Sequence, residues 1–269
     1  MSITAFDPIH KRLALFKKEA TPEFWDAQWK QEDLKQKVSS GKTYHFIKKF
    51  TQKYIPPGGR ILEGGCGTGQ VVYALESWGY DTHGIDFAKE IIETVTSLFP
   101  HLHLSVQDVK QTNFPDHSFD GYWSLGVIEH FWNGYDDIIQ EASRIIKPGG
   151  HLFLSFPVMS PLRKLKARLG CYPLLSETHD TKTFYEFMLD PDVVTQQVNV
   201  QGFNLVETFV YDALKGVKDE IKLLQPLLQR IYNGKNVFTR GFRFGFTLLF
   251  ARLTGHMIIL VLKKRPTYV

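Results

Sequence analysis

The feature that most constrains this chain is the segment 60–69, which reads Arg-Ile-Leu-Glu-Gly-Gly-Cys-Gly-Thr-Gly. A short apolar run ends at the carboxylate of Glu63, and glycines then stand at alternate positions, at Gly65, Gly67 and Gly69. Glycine adopts backbone conformations that other residues avoid, and it lets a ligand approach the main chain closely. Because a helix-periodic stretch follows, the segment predicts a strand, a tight turn and a helix whose N-terminus faces a ligand.

Strand and helix patterns alternate from residue 60 to residue 157, which predicts a parallel sheet covered by helices on both faces. Ligands of such sheets bind beyond the carboxyl ends of the strands, where the strand order reverses. An acid after the second strand can accept from both ribose hydroxyls, and an acid after the third can accept from an adenine amino group. The predicted strand ends carry Glu63, Asp86, Asp108 and the pair Leu125 and Gly126. The pattern therefore predicts a pocket for an adenosine-bearing cofactor.

Composition narrows the class of protein. The chain has 269 residues, of which 43% are hydrophobic, so it can bury a sizeable core. A net charge of +4 is too small to indicate a nucleic-acid partner. The two cysteines, Cys66 and Cys171, favour a reducing, cytoplasmic location over a disulfide framework. The first 18 residues lack the unbroken apolar stretch of a signal peptide, and no obligate protein partner is indicated.

The pattern Glu63-x-Gly65-x-Gly67-x-Gly69, followed by Asp86, Asp108 and the turn 148–150, resembles the class I, seven-stranded S-adenosylmethionine-dependent methyltransferases. The sequence of residues 124–131, Ser-Leu-Gly-Val-Ile-Glu-His-Phe, resembles that of their small-molecule, type 11 branch. The resemblance is strong over 56–157 and weak over 190–211 and 255–264. It implies a doubly wound, mostly parallel seven-stranded α/β sheet whose last strand is antiparallel, with helical cap insertions.

The resemblance also implies roles for individual residues. Glu63 acts at the methionine end of the cofactor, which Gly65 and Gly67 border. Asp86 holds the ribose, and Asp108 with Val109 frames the adenine. Gly64 departs from the family pattern, because a larger apolar residue is common there. The full predicted cofactor-binding set is Glu63, Gly65, Cys66, Gly67, Gly69, Asp86, Phe87, Asp108, Val109, Leu125 and Gly126, and no metal site is predicted.

Two other nucleotide-binding patterns fail on glycine spacing. A dinucleotide fingerprint, G-x-G-x-x-G, needs a third glycine at position 70 or 72, where Gln70 and Val72 stand. The Gly-Lys-Thr sequence at residues 41–43 lacks the earlier glycine of a phosphate loop, since Gln36 occupies that position. The glycine register therefore favours the methyltransferase cofactor over nicotinamide, flavin or nucleoside triphosphate.

His130 is the predicted catalytic residue, because it follows the fourth strand and is suited to act as a general base on an attacking hydroxyl. A structural or substrate-orienting histidine is the alternative. His179, Asp180 and Tyr185 are further substrate-facing candidates. DNA-base methylation is disfavoured, because residues 124–127 read Ser-Leu-Gly-Val where that branch carries Asn/Asp-Pro-Pro-aromatic. The predicted reaction is methyl transfer to oxygen, carbon or amine of a small molecule. A non-catalytic cofactor-binding scaffold and a lipid-acceptor methyltransferase at a membrane surface are the alternatives.

We divide the chain into an N-terminal helical cap segment (1–55), a cofactor-binding core (56–157) and a region of cap insertions with the last two strands (158–269), all within one structural domain. A basic helix over 160–169 is expected to present a solvated face. The apolar segment 244–262 is expected to form a packed helix to about Leu253, a turn at Gly255 and a buried strand. An interfacial helix making peripheral membrane contact is the alternative for that segment.

Overall fold

The computed structural model describes residues 3–17, 21–29, 33–176, 178–234 and 236–266. The strands follow in chain order: β1 (Ile3–Asp7), β2 (Arg12–Phe16), β3 (Arg60–Gly64), β4 (Asp81–Asp86), β5 (His103–Val106), β6 (Phe119–Leu125), β7 (Ile146–Pro157), β8 (Phe184–Met188), β9 (Phe203–Tyr211) and β10 (Met257–Lys264).

The α-helices are α1 (Pro22–Trp29), α2 (Leu34–Ser39), α3 (His45–Tyr54), α4 (Gln70–Ser77), α5 (Lys89–Leu98), α6 (Asp136–Ile145), α7 (Pro161–Arg168), α8 (Pro191–Val200), α9 (Ala213–Glu220), α10 (Gln225–Asn233) and α11 (Val237–Thr254). Short 3-10 turns span Ile128–His130, Thr181–Thr183 and Lys222–Leu224. The alternation of strands and helices after residue 60 is the predicted one.

The main sheet has seven strands in the order β5-β4-β3-β6-β7-β10-β9. The pairs β3–β4, β4–β5, β3–β6 and β6–β7 are parallel, whereas β10 is antiparallel to both β7 and β9. From β3 the chain builds outward to β4 and β5 and then returns to β6 on the other side. The strand order therefore reverses beside β3, and the predicted α/β fold with an antiparallel last strand is confirmed.

Alternate residues of β7 face opposite layers of the core, as strand geometry requires. Leu152 and Leu154 join the cluster that packs under α6 and α8. Phe153 faces the other side, where its ring stacks on Trp123 with 4.2 Å between ring centroids and packs in the same cluster as α3. Each fully buried side chain of this size contributes roughly 1.5–3 kcal/mol, so the two layers fix the central strands that carry the site.

The prediction that residues 1–55 are helical is wrong for the described residues 3–16. These form the antiparallel hairpin β1–β2, and β2 pairs in turn with β8 in a separate three-stranded sheet. The Asp7 carboxylate accepts the backbone N–H groups of Ile9 and His10 and so closes the turn. This pairing stabilises the strands of the hairpin. Because β8 lies far along the chain, a local pattern of apolar residues cannot predict it.

Two expectations for the periphery are corrected. Within α7, Arg163 is only 1% exposed and pairs with Glu220 at 2.9 Å, so this helix does not present a simple solvated face. The segment 244–262 does form a helix followed by a buried strand, but no described residue of α11 is fully buried. No helix in the described part of the chain has the length and apolar character needed to cross a membrane.

The departure at Gly64 has a packing reason. A Cβ built on Gly64 would overlap the Tyr122 hydroxyl and ring. Tyr122, on the adjacent strand β6, is itself almost fully buried. The space beside Gly64 is therefore filled by a side chain of the neighbouring strand.

Candidate functional site

The glycine turn after β3 has the backbone geometry that its sequence predicts. Gly65, Gly67 and Gly69 all have positive φ, at 74°, 49° and 68°, a region that is costly for residues with a Cβ. The N–H groups of Gly65 and Cys66 both donate to the Ile85 carbonyl, at 2.8 and 2.9 Å. These bonds tie the turn to β4 and hold the main chain open toward the sheet edge.

A cavity of about 610 Å³ opens at this turn, beside the point where strand order reverses. Its walls come from the carboxyl ends of β3, β4 and β6, from the loop after β5 and from the N-terminal helices. Of the predicted site residues, those that line it are Glu63, Gly65, Cys66, Gly67, Asp86, Phe87, Asp108, Val109, Leu125, Gly126 and His130. One cavity thus brings together residues from four separate strand ends.

Gly69 is the predicted cofactor residue that the structure does not place on the cavity wall. It caps the N-terminus of α4 in a left-handed conformation, and its N–H donates to the Cys66 carbonyl at 2.8 Å. Gly69 therefore closes the turn. Cys66 lines the cavity, but burial raises the pKa of its thiol well above the ordinary value, so it is not an activated nucleophile.

Asp86 is held in place by two backbone donors at the end of β4. Its Oδ2 accepts from Gly67 N at 2.8 Å and its Oδ1 accepts from Ala88 N at 2.9 Å. Burial raises the pKa of this carboxyl, while hydrogen bonds from Ala88 and Gly67 act in the opposite direction. Each carboxylate oxygen keeps a second lone pair, so Asp86 can order the turn and still accept from paired hydroxyls.

Glu63 is a buried carboxyl with unused bonding capacity. Its Oε2 has no hydrogen-bond partner within the described structure. Burial raises its pKa well above the ordinary 4.5, and the nearby charge of Asp86 raises it further. An unpaired buried polar atom is costly, and here it lies on the cavity wall. The arrangement suits a ligand that brings a cationic donor.

The remaining predicted cofactor residues frame the other edges of the cavity. The Asp108 side chain accepts from Lys110 N at 2.9 Å, so it orders its own turn as well as lining the cavity. Val109 is buried beside it, and the Phe87 ring is largely exposed. Gly126, with φ of 70°, donates its N–H to the Ser155 carbonyl at 3.1 Å and fixes the end of β6.

His130 lies in the 3-10 turn after β6 and lines the cavity. Its Nδ1 is 2.6 Å from the carbonyl oxygen of Tyr185. A carbonyl only accepts, so Nδ1 carries a proton and the neutral ring keeps its lone pair on Nε2. Burial lowers the pKa of His130 below 6.5, although the bond to Tyr185 acts against this shift. The ring is thus a neutral base at physiological pH.

Two carboxyls beside His130, those of Glu129 and Glu186, were not predicted from the sequence. Side-chain ligand atoms of Glu129, His130 and Glu186 lie within 4.8 Å of one another. Burial is the main cause that raises the pKa of both carboxyls, and Glu129 Oε2 lacks a partner among the described residues. Glu186 comes from β8, in the insertion, so only the tertiary fold joins it to the Glu-His pair. Such a group can hold a proton or a cation next to the cavity.

The N-terminal segment also supplies residues of the cavity wall. Pro22 and Trp25 of α1 line the cavity, and the Trp25 ring meets the edge of His130 at 5.3 Å between centroids. Asp26 accepts the N–H of Ile91 at 3.0 Å and so ties α1 to the start of α5. Helix α1 therefore lies against the cavity and against the start of α5.

The other substrate-facing candidates lie outside this cavity. His179 stacks on Phe16 at 5.0 Å between ring centroids. Asp180 accepts the N–H of Lys182 at 3.0 Å and caps a short turn. Tyr185 contacts His130 through both its carbonyl and its ring, so it positions that residue.

A second cavity of about 390 Å³ adjoins the first. The two share Lys110, His130 and Phe131, so His130 stands between them. The second cavity also has polar walls from Asn133, Asp137 and Thr181. A molecule there would face the His130 end of the larger cavity.

The fold and the cavity at its strand ends resemble those of class I, Rossmann-like methyltransferases. Residues 62–154 match the family model described as a methyltransferase domain, Methyltransf_11. The matched residues run from β3 to β7 and include Glu63, Asp86, Asp108 and His130.

Curated proteins with related sequences match part of the chain. The chain is 32% identical over 107 residues to a 2-methyl-6-phytyl-1,4-hydroquinone methyltransferase of Synechocystis sp., covering 38% of this chain and 33% of that protein. It is 29% identical over 139 residues to a ubiquinone biosynthesis O-methyltransferase of Vibrio cholerae, covering 47% of this chain and 55% of that protein. The chain thus matches about a third to a half of the length of these relatives.

Solved structures share the fold over a larger part of the chain. A SAM-dependent methyltransferase from Archaeoglobus fulgidus aligns with a TM-score of 0.53 at 15% identity, covering 86% of this chain and 97% of that one. The cyclase SpnF aligns with a TM-score of 0.57 at 14% identity, covering 97% of this chain and 99% of that one. These likenesses show the fold.

Proposed function

We propose that the protein is a methyltransferase that moves the methyl group of S-adenosylmethionine by in-line displacement to oxygen, carbon or amine of a small molecule. The observation that carries this proposal is the convergence of Glu63, Asp86, Asp108 and His130 on one cavity. Three acids lie toward the part that would hold the cofactor, and the histidine lies where a second cavity begins. The named activities of the quinone-related relatives support the same class of acceptor.

The residues present fit the cofactor. The unpartnered Glu63 oxygen is suited to its ammonium group, and the glycine turn lets the main chain lie against its methionine portion. Asp86 is suited to the ribose hydroxyls, and the Asp108–Val109 edge to the adenine. Bound there, the cofactor supplies an activated methyl group, so the protein's main task is to position the acceptor and exclude water.

The acceptor is proposed to occupy the second cavity, with its nucleophile directed toward His130. His130 Nε2 is free of the proton that Nδ1 uses to bind the Tyr185 carbonyl, so it can take the proton of an attacking hydroxyl. The Tyr185 carbonyl then stabilises the imidazolium that forms. Lys110, Asn133 and Thr181 can bond polar groups of the acceptor, whereas the aromatic wall around Phe131 accommodates a ring or an apolar portion.

Isothermal titration with S-adenosylmethionine tests the cofactor assignment. Asp86→Ala should abolish measurable binding, because it removes the predicted ribose acceptor and frees Gly67 N. Asp192→Ala is the matched control, since that side chain is 86% exposed and lies outside both cavities. Unchanged affinity in Asp86→Ala, with normal binding by the control, would defeat the proposal.

A cofactor-binding protein that does not transfer methyl groups is the second candidate. It is favoured by the likeness to the cyclase SpnF, which shows that the fold also occurs in a protein named for a different reaction. Incubation with radiolabelled cofactor and a panel of phenols, quinols and amines separates the two functions. Tight binding with no labelled product in any reaction would support the second candidate.

A further inference from the structure

The helical insertion between β9 and β10 exposes an unusually apolar surface. Side chains of α11 that face solvent include Phe238, Phe242, Phe244, Leu248, Leu249 and Leu253. Phe238 is 88% exposed and Leu249 is 76% exposed. Contiguous apolar surface of this kind on a globular protein marks an interaction site.

The opposite face of α11 already has its own packing. Phe246 packs in a cluster with Leu214, Val217 and Leu228 of α9 and α10. Arg243 donates from Nη1 to the Tyr232 carbonyl at 2.5 Å. The helix is therefore anchored to the body by one face, and the outward apolar face is what remains after that packing is complete.

Charge on the part of this insertion that follows α9 is of a single sign. Residues 221–254 contain no Asp or Glu, although the whole chain has 28 acids and 32 Lys and Arg. The same segment carries Lys222, Arg230, Lys235, Arg240, Arg243 and Arg252. Arg240 and Arg252 are exposed on α11, next to the apolar side chains. Apolar and cationic groups on one helix face are typical of helices that lie in an anionic membrane interface.

The insertion also lies at the functional edge of the main sheet. Met257, the first residue of β10, pairs with Tyr211 at the end of β9 and with Pro157 at the end of β7. Since β7 is parallel to β6, this edge holds the carboxyl ends of the strands that open into the cavities. The α9–α11 insertion therefore leaves and rejoins the sheet at the edge where the cavities lie.

We propose that the surface formed by the 3-10 turn 222–224, α10 and α11 docks on an anionic lipid bilayer. The Phe and Leu side chains enter the boundary between headgroups and acyl chains, and the arginines pair with lipid phosphates. The helix lies in the plane of the interface, because no described helix meets the requirements for a span. A second copy of this chain is a poorer occupant, since a symmetric contact would place two acid-free cationic segments against each other.

This docking deepens the proposed function by naming an acceptor class, and that part rests on the proposed function. A bilayer at this edge would present amphipathic molecules, with a polar head and an apolar tail, directly to the neighbouring cavities. The docking itself requires neither cofactor nor acceptor. Vesicle binding and cofactor binding can therefore be measured separately, and failure of one is distinguishable from failure of the other.

Vesicle co-sedimentation of the full chain tests the docking. We expect binding to phosphatidylcholine vesicles that contain about one third phosphatidylglycerol, and much weaker binding to phosphatidylcholine alone. The double variant Leu248→Ser/Leu249→Ser should lower the partition coefficient by about tenfold or more, because two apolar side chains no longer enter the interface. Ile9→Ser/Val200→Ser is the matched control, since those side chains are 83% and 81% exposed but lie outside this surface.

A charge variant gives a second, independent measurement. Arg240→Gln/Arg252→Gln should weaken binding to the anionic vesicles and reduce its dependence on salt concentration, because two phosphate partners are lost. Thermal melts should show that each variant folds. Equal vesicle binding by the Leu248/Leu249 variant and the Ile9/Val200 control would overturn the proposal. Absence of vesicle binding together with a concentration-dependent dimer would also overturn it and assign the surface to a second copy.

Discussion

Gly67 donates its backbone N–H to Asp86 Oδ2 at 2.8 Å, and this bond joins the glycine turn after β3 to the end of β4. The same carboxyl also accepts from Ala88 N at 2.9 Å, at the start of α5. One side chain therefore orders two loops that border the cavity. Loss of this carboxyl removes a predicted ligand contact and the support of the turn at the same time.

Gly65→Ala is expected to lower both stability and cofactor affinity. Gly65 has a φ of 74°, and a Cβ there would press against Val127, which lines the cavity. The left-handed conformation alone costs roughly 1–2 kcal/mol for a residue with a Cβ. Gly79→Ala is the matched control, because its φ is 89° but a Cβ would meet nothing within 4 Å. Thermal melts should shift for both variants, whereas calorimetric affinity should fall only for Gly65→Ala.

Glu63 should make cofactor binding depend on pH. Burial holds its pKa well above 4.5, so the free protein carries a neutral acid over a range in which an exposed Glu is ionised. A cationic ligand favours the ionised form, and affinity should therefore rise as the pH rises toward the raised pKa. Glu63→Gln should bind more weakly and lack this component when the two proteins are compared by calorimetry. Parallel pH profiles would contradict the role assigned to Glu63.

The same raised pKa has the opposite effect on the stability of the ligand-free protein. The folded state holds a proton on Glu63 that the unfolded state releases above about 4.5. This stabilising contribution is complete below that value and is lost as the pH rises through the raised pKa. Denaturant titrations over that range should show a smaller loss of stability for Glu63→Gln than for the unmodified chain.

His130→Gln is expected to reduce turnover by about 10²–10⁴-fold if His130 removes the acceptor proton. Affinity for the cofactor should stay unchanged, because His130 is not among the predicted cofactor contacts. Burial lowers the pKa of His130, so turnover of the unmodified enzyme should fall only at pH values below 6.5. If His130→Gln instead raises KM but keeps kcat and the fall of turnover at low pH, His130 orients the acceptor.

Glu129→Gln distinguishes a proton-holding group from a metal site. Burial raises the pKa of Glu129 well above 4.5 and so favours the protonated acid, which we expect the amide to replace with little change in turnover. The turnover of both proteins should survive dialysis against a chelator. Loss of activity on chelation, restored by a divalent ion only in the unmodified protein, would instead identify Glu129, His130 and Glu186 as ligands.

Arg163→Met should destabilise the protein by about 3–5 kcal/mol, the range for breaking a buried ion pair from one side. The guanidinium binds the Glu220 carboxylate at 2.9 Å, the Val158 carbonyl at 2.7 Å and His256 Nδ1 at 2.8 Å. Its removal leaves Glu220 short of a partner that helps to keep the pKa of this acid low. Arg168→Met, on the same helix but exposed, is the control in denaturant titrations.

Local sequence was sufficient for the parts of the site that lie within one strand and the turn after it. The glycines at 65, 67 and 69 predict a turn with positive φ, and the acids at the strand ends predict the edge of the cavity. Contacts made between distant segments had no such signal. Glu186 approaches Glu129 and His130 only because β8 pairs with β2. Trp25 reaches His130 from α1, which Asp26 ties to α5.

The same distinction accounts for the errors outside the site. Apolar residues in 244–262 predict a helix and a strand, but periodicity does not tell whether the apolar face finds a partner inside the chain. The strand β10 finds partners inside the chain, because β7 and β9 flank it. For α11 only one face packs, against α9 and α10. Similarly, the cationic character of α7 gave no sign that Glu220 would bury one of its arginines.

Tyr122 packs closely over Gly64, so the residues at these two positions are sterically coupled. Any side chain at 64 forces the tyrosine ring out of its site, and shortening the ring leaves a void beside a bare backbone. Each change alone should destabilise the protein, whereas a larger residue at 64 with a smaller one at 122 should restore the volume. Among homologous chains, exchanges at 64 and 122 should therefore occur together, as a compensated pair.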